Sequence, residues 1–212
     1  MSDLASFNAL QLDAIREVGN IGTGNAATAL SGLLARMINM EVPKTELVSI
    51  YELAEHYGDP LKIVGAVFVR SMGGFGCSLI FIQDEKDANL MVELLLKQQF
   101  GTYIPVDELP GDMKDSALSE VGNIVLSSFL NAINMLLGTQ HQISVPGVAH
   151  DMLSSILDVV ASIYGQMGET ALLVNTELSV EGLEEGRKIS GHIILIPDPD
   201  SLEMLLQKLK VV

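Results

Sequence analysis

The chain has 212 residues, 48% of them hydrophobic and only 5% aromatic, with no tryptophan; it reads as one duplicated domain or two small ones around an aliphatic core, not as a disordered chain. Its formal net charge of −15, from 12 Lys and Arg against 27 Asp and Glu, repels phosphate backbones and anionic lipid, and argues against nucleic acid or a membrane as partner. No apolar run reaches the roughly 18–20 residues of a membrane span and MSDLASFNALQLD lacks a secretory pattern, so the cytoplasm is expected. The single cysteine, Cys77, excludes an internal disulfide and a thiolate metal cluster.

The first element is a long helical period over about residues 10 to 39, with Leu12, Ile15, Gly19, Gly22, Ala26, Leu30 and Leu33 on its core side. A short strand, ELVSI from Glu46, and a helix, YELAEHYG from Tyr51, come next. Two apolar strands follow, KIVGAVFV from Lys62 and GCSLIFI from Gly76, and then an amphipathic helix, DEKDANLMVELLLK from Asp84. The segment from Gly101 to Asp112, rich in Pro, Gly and acidic residues, reads as a joint.

The same order then repeats. A helix over about residues 113 to 138 precedes a strand at QISVP from Gln142 and a helix, DMLSSILDVVASIYG, that Asp151 is placed to cap. The strands ALLVNTEL and KISGHIILI and a closing helix, DPDSLEMLLQKLK from Asp198, complete it. The expected fold is α/β: a single pseudo-two-fold symmetric domain over residues 1–212, made by internal duplication of approximately 8–100 and 111–210. It should hold about six strands in a mostly antiparallel or mixed sheet and two long exposed helices.

The repeat is sharpest on the long helices. EVGNI at Glu17 recurs at Glu120, 103 positions later, and the same offset carries Val42-Pro43 onto Val145-Pro146. At about 100° per residue, Asp13, Glu17, Asn20, Gly24 and Ser31 share one face of the first helix. Ser116, Glu120, Asn123, Ser127 and Asn134 take the same places on the second. Outward polar residues are ordinarily solvated filler, yet Arg16 has drifted to Ser119 and Asn25 to Ser128 while Glu and Asn are unchanged. Asn is a poorer helix former than Ala by several tenths of a kcal/mol, so folding does not explain its retention. With Ile21 or Ile124 beside the stripe as an exposed apolar contact, the face reads as a docking surface.

GNIGTGN is not a phosphate loop: no strand precedes it, and the second copy replaces its later glycines with Val125, Leu126 and Ser127. Gly22 on the core side instead permits close helix packing. His56, His141, His150 and His192 are scattered without metal-ligand spacing, and no resident metal is expected. Ser31 and Ser116 have no histidine nearby in sequence to activate them. What remains is a carboxylate and a carboxamide. An amide accepts from a water and donates to another group at once, so it can hold water in line with a phosphorus atom, but it cannot neutralise phosphoryl charge. Such a hydrolase needs a phosphoprotein that brings its own magnesium and cation.

Asp13, Glu17, Asn20 and Pro43, with Ser116, Glu120, Asn123 and Pro146, spell Asp or Ser, three residues, Glu, two residues, Asn, and a later Pro, twice. The pattern resembles the CheC family of bacterial and archaeal chemotaxis phosphatases, whose relatives include CheX and FliY; two complete motifs and no room for a further switch domain favour CheC. The resemblance implies hydrolysis of the aspartyl phosphate of the response regulator CheY. In that reading Asn20 and Asn123 orient water, Glu17 and Glu120 pair with the regulator's lysine, and Asp13 and Ser116 support them. The regulator would supply Mg2+, and the chain no cofactor of its own. The resemblance also implies a second partner, the receptor deamidase CheD, contacted from the segment at Asp151. The alternative is a non-catalytic adaptor for CheY and CheD. Two halves in one chain already supply what a dimer of single-motif subunits would, so a monomer is expected.

Overall fold

A computed structural model describes residues 9–165, 170–184 and 186–208, with the side chains of Ala9, Leu12 and Ile15 outside that description. Helix α1 (Ala9–Leu34) leads into β1 (Ile38–Ser49) and a 3-10 helix (Ile50–His56); β2 (Ile63–Met72), β3 (Cys77–Asp84) and α2 (Glu85–Phe100) close the first half. Helix α3 (Gly111–Leu137) opens the second, followed by β4 (Gln142–Ile143), β5 (Gly147–Met152), α4 (Leu153–Tyr164), β6 (Thr170–Val180), β7 (Ile189–Pro197) and α5 (Pro199–Lys208).

The strands form one seven-stranded sheet in the order β1-β6-β7-β3-β2-β4, with β5 also beside β2, and every pairing is antiparallel. β3 is buried from Cys77 to Gln83, because a central strand covered on both faces needs apolar residues at every position rather than every second one. One apolar layer joins α1, α2, α3 and α5 to the sheet through residues such as Leu30, Phe129, Leu95, Leu205 and Phe81. The other lies under α4 and the 3-10 helix, around Leu53, Ile80, Ile156 and Ile194.

Each outer strand pairs with the other half's inner strands. β1 lies on β6, and β5 lies on β2, while β3 and β7 meet in the middle. Thr45 is paired with Val174, and Val148, which the 103-residue offset equates with Thr45, is paired with Val67. The helices follow suit. A Cβ on Gly19 would come 3.2 Å from Thr45 Oγ1 and 3.7 Å from Val174, and one on Gly122 would come 2.5 Å from Val67 Cβ. The glycine inside EVGNI therefore seats each long helix on the sheet, where a larger residue would lift it. Gly22 serves the contact between the helices, since a Cβ there would overlap the ring of Phe129 on α3. The first helix holds a notch for an aromatic that only the second helix carries, which is why the later glycine occurs once.

By length and composition α3 could cross a membrane. Here its Val121, Val125, Phe129, Leu130 and Ile133 are buried within the protein, so that apolarity serves the core.

Several expectations need correcting. The first strand starts at Ile38, not Glu46, and α1 stops at Leu34. Ala35 turns the chain at φ 48°, and Ser31 Oγ accepts from Ile38 N at 3.1 Å, fixing the exit. Pro43 hid the early part of the strand: it falls at the register shift between Glu41 and Lys44 of an edge strand, where a missing N–H is tolerated. Pro146 likewise lies between β4 and β5. Both prolines interrupt edge strands and do not stand on the motif helices. YELAEHYG forms a 3-10 helix beginning at Ile50. Asn134 is not outward; it is buried, donates to Leu130 O at 3.0 Å and accepts from Thr139 Oγ1 at 2.6 Å, which anchors the chain leaving α3 as Ser31 does for α1.

Candidate functional site

The period of each long helix sets one face into the core and leaves the polar stripe outside. On α1, Val18, Gly19 and Gly22 are buried while Asp13, Glu17, Asn20 and Gly24 are exposed. On α3, Val121 and Gly122 are buried, Ser116 and Glu120 exposed, and Asn123 and Ser127 half-buried. Glu and Asn three residues apart put their Cβ atoms about 5–6 Å from each other on one face. Both pairs are thus open to an approaching surface. Ile21 and Ile124 are half-buried, not exposed; Ile124 packs against the main apolar layer and so contributes more to the core than to a partner.

The two pairs differ in what holds them. Among the described residues, the side chains of Glu17 and Asn20 have no hydrogen-bond or ion-pair partner. Beneath them, buried Thr23 donates its hydroxyl to the carbonyls of Gly19, at 2.9 Å, and Asn20, at 3.1 Å. Asp13 is paired with Arg16 at 3.1 Å, both exposed. In the second pair, Gln99 Nε2 donates to Glu120 Oε2 at 3.2 Å and Ser127 Oγ donates to Asn123 Oδ1 at 3.2 Å. Gln99 comes from the last turn of α2, which the sequence offers no reason to place beside Glu120. The position of Ser127 on the stripe was legible, but its bond to Asn123 was not.

A groove of about 410 Å³ opens beside the second pair, between the end of α2 and the start of α3, with Ser116 and Glu120 in its lining. Phe100 and Met113 form an apolar part of that lining, 56% and 38% exposed.

Asp151 is a further site residue named from sequence, and it does not cap a helix. It lies in β5 opposite Val64, and its Oδ1 accepts from Met152 N at 2.7 Å. α4 starts two residues later, with its first N–H groups donating to the carbonyls of Lys62 and Pro60, so the orphan donors of its first turn are met by a loop rather than by an aspartate. Asp151 remains exposed, and on α4 Val159 and Ile163 are exposed too, at 53% and 54%.

Among the described residues no three His, Cys, Asp or Glu side chains converge. Burial raises the thiol pKa of Cys77 far above its ordinary range, with Arg70 opposing. His192 is held by a contact at 2.9 Å between Nδ1 and Asn175 Oδ1, and burial, aided by Lys62, lowers its pKa to about 4.

Such a protein is a mixed α/β domain whose outer helices each present a carboxylate and a carboxamide. Residues 10–47 and 113–150 match the model of the CheC-like family. CheY-P phosphatase CheC of Bacillus subtilis (strain 168) is 35% identical over 207 residues, 95% of this chain and 96% of its own. The chain belongs to the CheC-like family. Flagellar motor switch phosphatase FliY of the same organism is 25% identical over 146 residues, 69% of this chain and 37% of that protein. In fold, the chain is similar to the X-ray structure of Thermotoga maritima FliY, with a TM-score of 0.74 at 23% identity, covering 97% of this chain and 98% of that one.

Proposed function

We propose that this chain is a cytoplasmic phosphatase that hydrolyses the aspartyl phosphate of phosphorylated CheY, with Asn20 and Asn123 each orienting the attacking water. Family membership and the 35% identity to a protein named as a CheY-P phosphatase support the reaction. The observation that carries the mechanism is the outward placement of the Glu17–Asn20 and Glu120–Asn123 pairs, on helix faces whose neighbouring Val18 and Val121 are buried.

The carboxamide enters the regulator's phosphorylated pocket and accepts a hydrogen bond from a water while donating to a group there. As the water oxygen bonds to phosphorus, the bond from phosphorus to the aspartyl oxygen breaks. The aspartate leaves as a carboxylate, and the water's protons stay with inorganic phosphate. An amide is no general base, so acceleration comes from positioning. Glu17 and Glu120 pair with the regulator's lysine, a charge-assisted contact that fixes the approach. Asp13 and Ser116 support this geometry. Magnesium belongs to the phosphorylated substrate: one glutamate and one asparagine make a poor cage for it.

An internal duplication in one monomeric domain accounts for two such sites, and the exchange of outer strands between the halves supports it. CheD is the second partner in this reading. Exposed Val159 and Ile163 of α4, with Asp151 at its foot, offer the apolar and acidic surface for it.

The test is phosphate release from phosphorylated CheY in magnesium, with and without this protein. Replacing both Asn20 and Asn123 by Ala should remove the acceleration and leave CheY binding in place. A wild-type chain that binds CheY yet leaves its phosphorylated lifetime unchanged establishes the adaptor reading instead.

A further inference from the structure

The second pair has a neighbour that the first lacks among the described residues: the last turn of α2. Gln99 there is exposed, and its amide donates to one oxygen of Glu120. That leaves the other oxygen for a partner and costs the carboxylate part of its freedom before the partner arrives. Beside it the groove sets two carboxylates, Asp112 and Glu120, next to the exposed ring of Phe100 and side chain of Met113. Because Ser116 and Glu120 line the groove, it is continuous with the site itself. An apolar wall edged by two carboxylates fits an apolar side chain that has a basic residue next to it.

We infer that Gln99 is a positioning residue for Glu120, and that Phe100 with Met113 receives an apolar side chain of the regulator adjacent to the cation Glu120 takes. The inference rests on the phosphatase reading above and adds to it: the second site recognises its partner at two points. Gln99 acts only through Glu120, and Phe100 only through contact with the partner, so both should affect docking rather than water positioning.

The experiment uses the full chain carrying Asn20→Ala, in which the second site alone hydrolyses phosphorylated CheY in magnesium. Gln99→Met keeps the length of the side chain and removes the donor; Phe100→Ser removes the wall. Each should raise KM about threefold to tenfold with kcat within twofold, which is the signature of lost binding shared by ground and transition states. Thermal melting of each variant within a few degrees of the parent confirms that the fold is kept, and the two substitutions stand as independent trials if one fails to fold. Unchanged KM in both variants overturns the inference while leaving the phosphatase reading intact. Equal falls in kcat with KM constant overturn it as well, since they would place Gln99 and Phe100 in the chemistry or in general stability. No hydrolysis by the chain carrying Asn20→Ala overturns the inference, and the phosphatase reading falls with it only if the unsubstituted chain is inactive as well.

Discussion

Two helices carry the same five residues, EVGNI, and present them in different states. On α1 the Glu17 and Asn20 side chains stand without partners among the described residues; on α3, Gln99 holds Glu120 and Ser127 holds Asn123. At the amide the difference is one residue, Gly24 against Ser127. At the carboxylate it is the arrival of α2. Repeating a helix repeats its side chains, but what holds them comes from neighbours that differ. Ordering one flexible side chain on binding costs about 0.5–1.5 kcal/mol, so under the phosphatase reading the bonds from Gln99 and Ser127 would meet part of that cost at the second site before its partner arrives.

The largest test of this contrast concerns the notch between the helices. Phe129→Ala should cost about 3–5 kcal/mol in urea unfolding, because it empties the space that Gly22 leaves on α1. A cost below about 1 kcal/mol would mean that the site collapses freely, and the packing reason for the unrepeated glycine would be wrong.

Acid should act next, and evenly. His192 has a pKa of about 4 in the fold, below the roughly 6.5 of an unfolded histidine. The unfolded chain therefore takes up the proton first as pH falls. The stability this residue contributes is complete above about pH 6.5 and is lost towards pH 4, by up to about 3 kcal/mol. His192→Gln should flatten that limb of a pH–stability curve. The ring contacts Tyr57, in the apolar layer on the sheet face opposite the motif helices, so both sites should weaken together; loss of one alone would break the comparison.

Asn20→Ala with Asn123→Ala should lower phosphate release from phosphorylated CheY on the order of 100-fold, the scale of losing a positioned reactant, while binding read by calorimetry persists. Retained hydrolysis would leave the contrast between the two amides without a catalytic meaning.

The smallest effect is the most specific. Ser127→Gly, in a chain carrying Asn20→Ala, should lower the remaining rate about twofold to fivefold, while costing roughly 0.5–1 kcal/mol as a helix glycine. Gly24→Ser, in a chain carrying Asn123→Ala, should raise the rate of the first site. Opposite signs in the two measurements would establish that this hydroxyl orients the amide; equal signs would sink that account.

Much of this was legible in one dimension. The 3.6-residue period placed Gly19, Gly22, Ala26 and Leu30 inside and Glu17 and Asn20 outside, and continuous apolar runs marked the inner strands. It misled where a residue's surroundings come from a distant segment. Asn134 shares the polar stripe by angle but meets Thr139 where the helix ends. Asp151 looks like a cap, yet loop carbonyls at Pro60 and Lys62 take the donors that it would have served. The first strand begins before Glu46, because an edge strand accommodates Pro43 at a shift of register.

The sequence by itself determined the repeated Glu and Asn pairs, their spacing and their outward direction, since all three follow from identity and helical period within a few turns. Only the tertiary structure decided that the outer strands exchange between halves, that Gly22 receives Phe129, and that Gln99 reaches Glu120. Those facts depend on contacts between segments far apart in the chain, and no local periodicity records which distant surface will cover a given face.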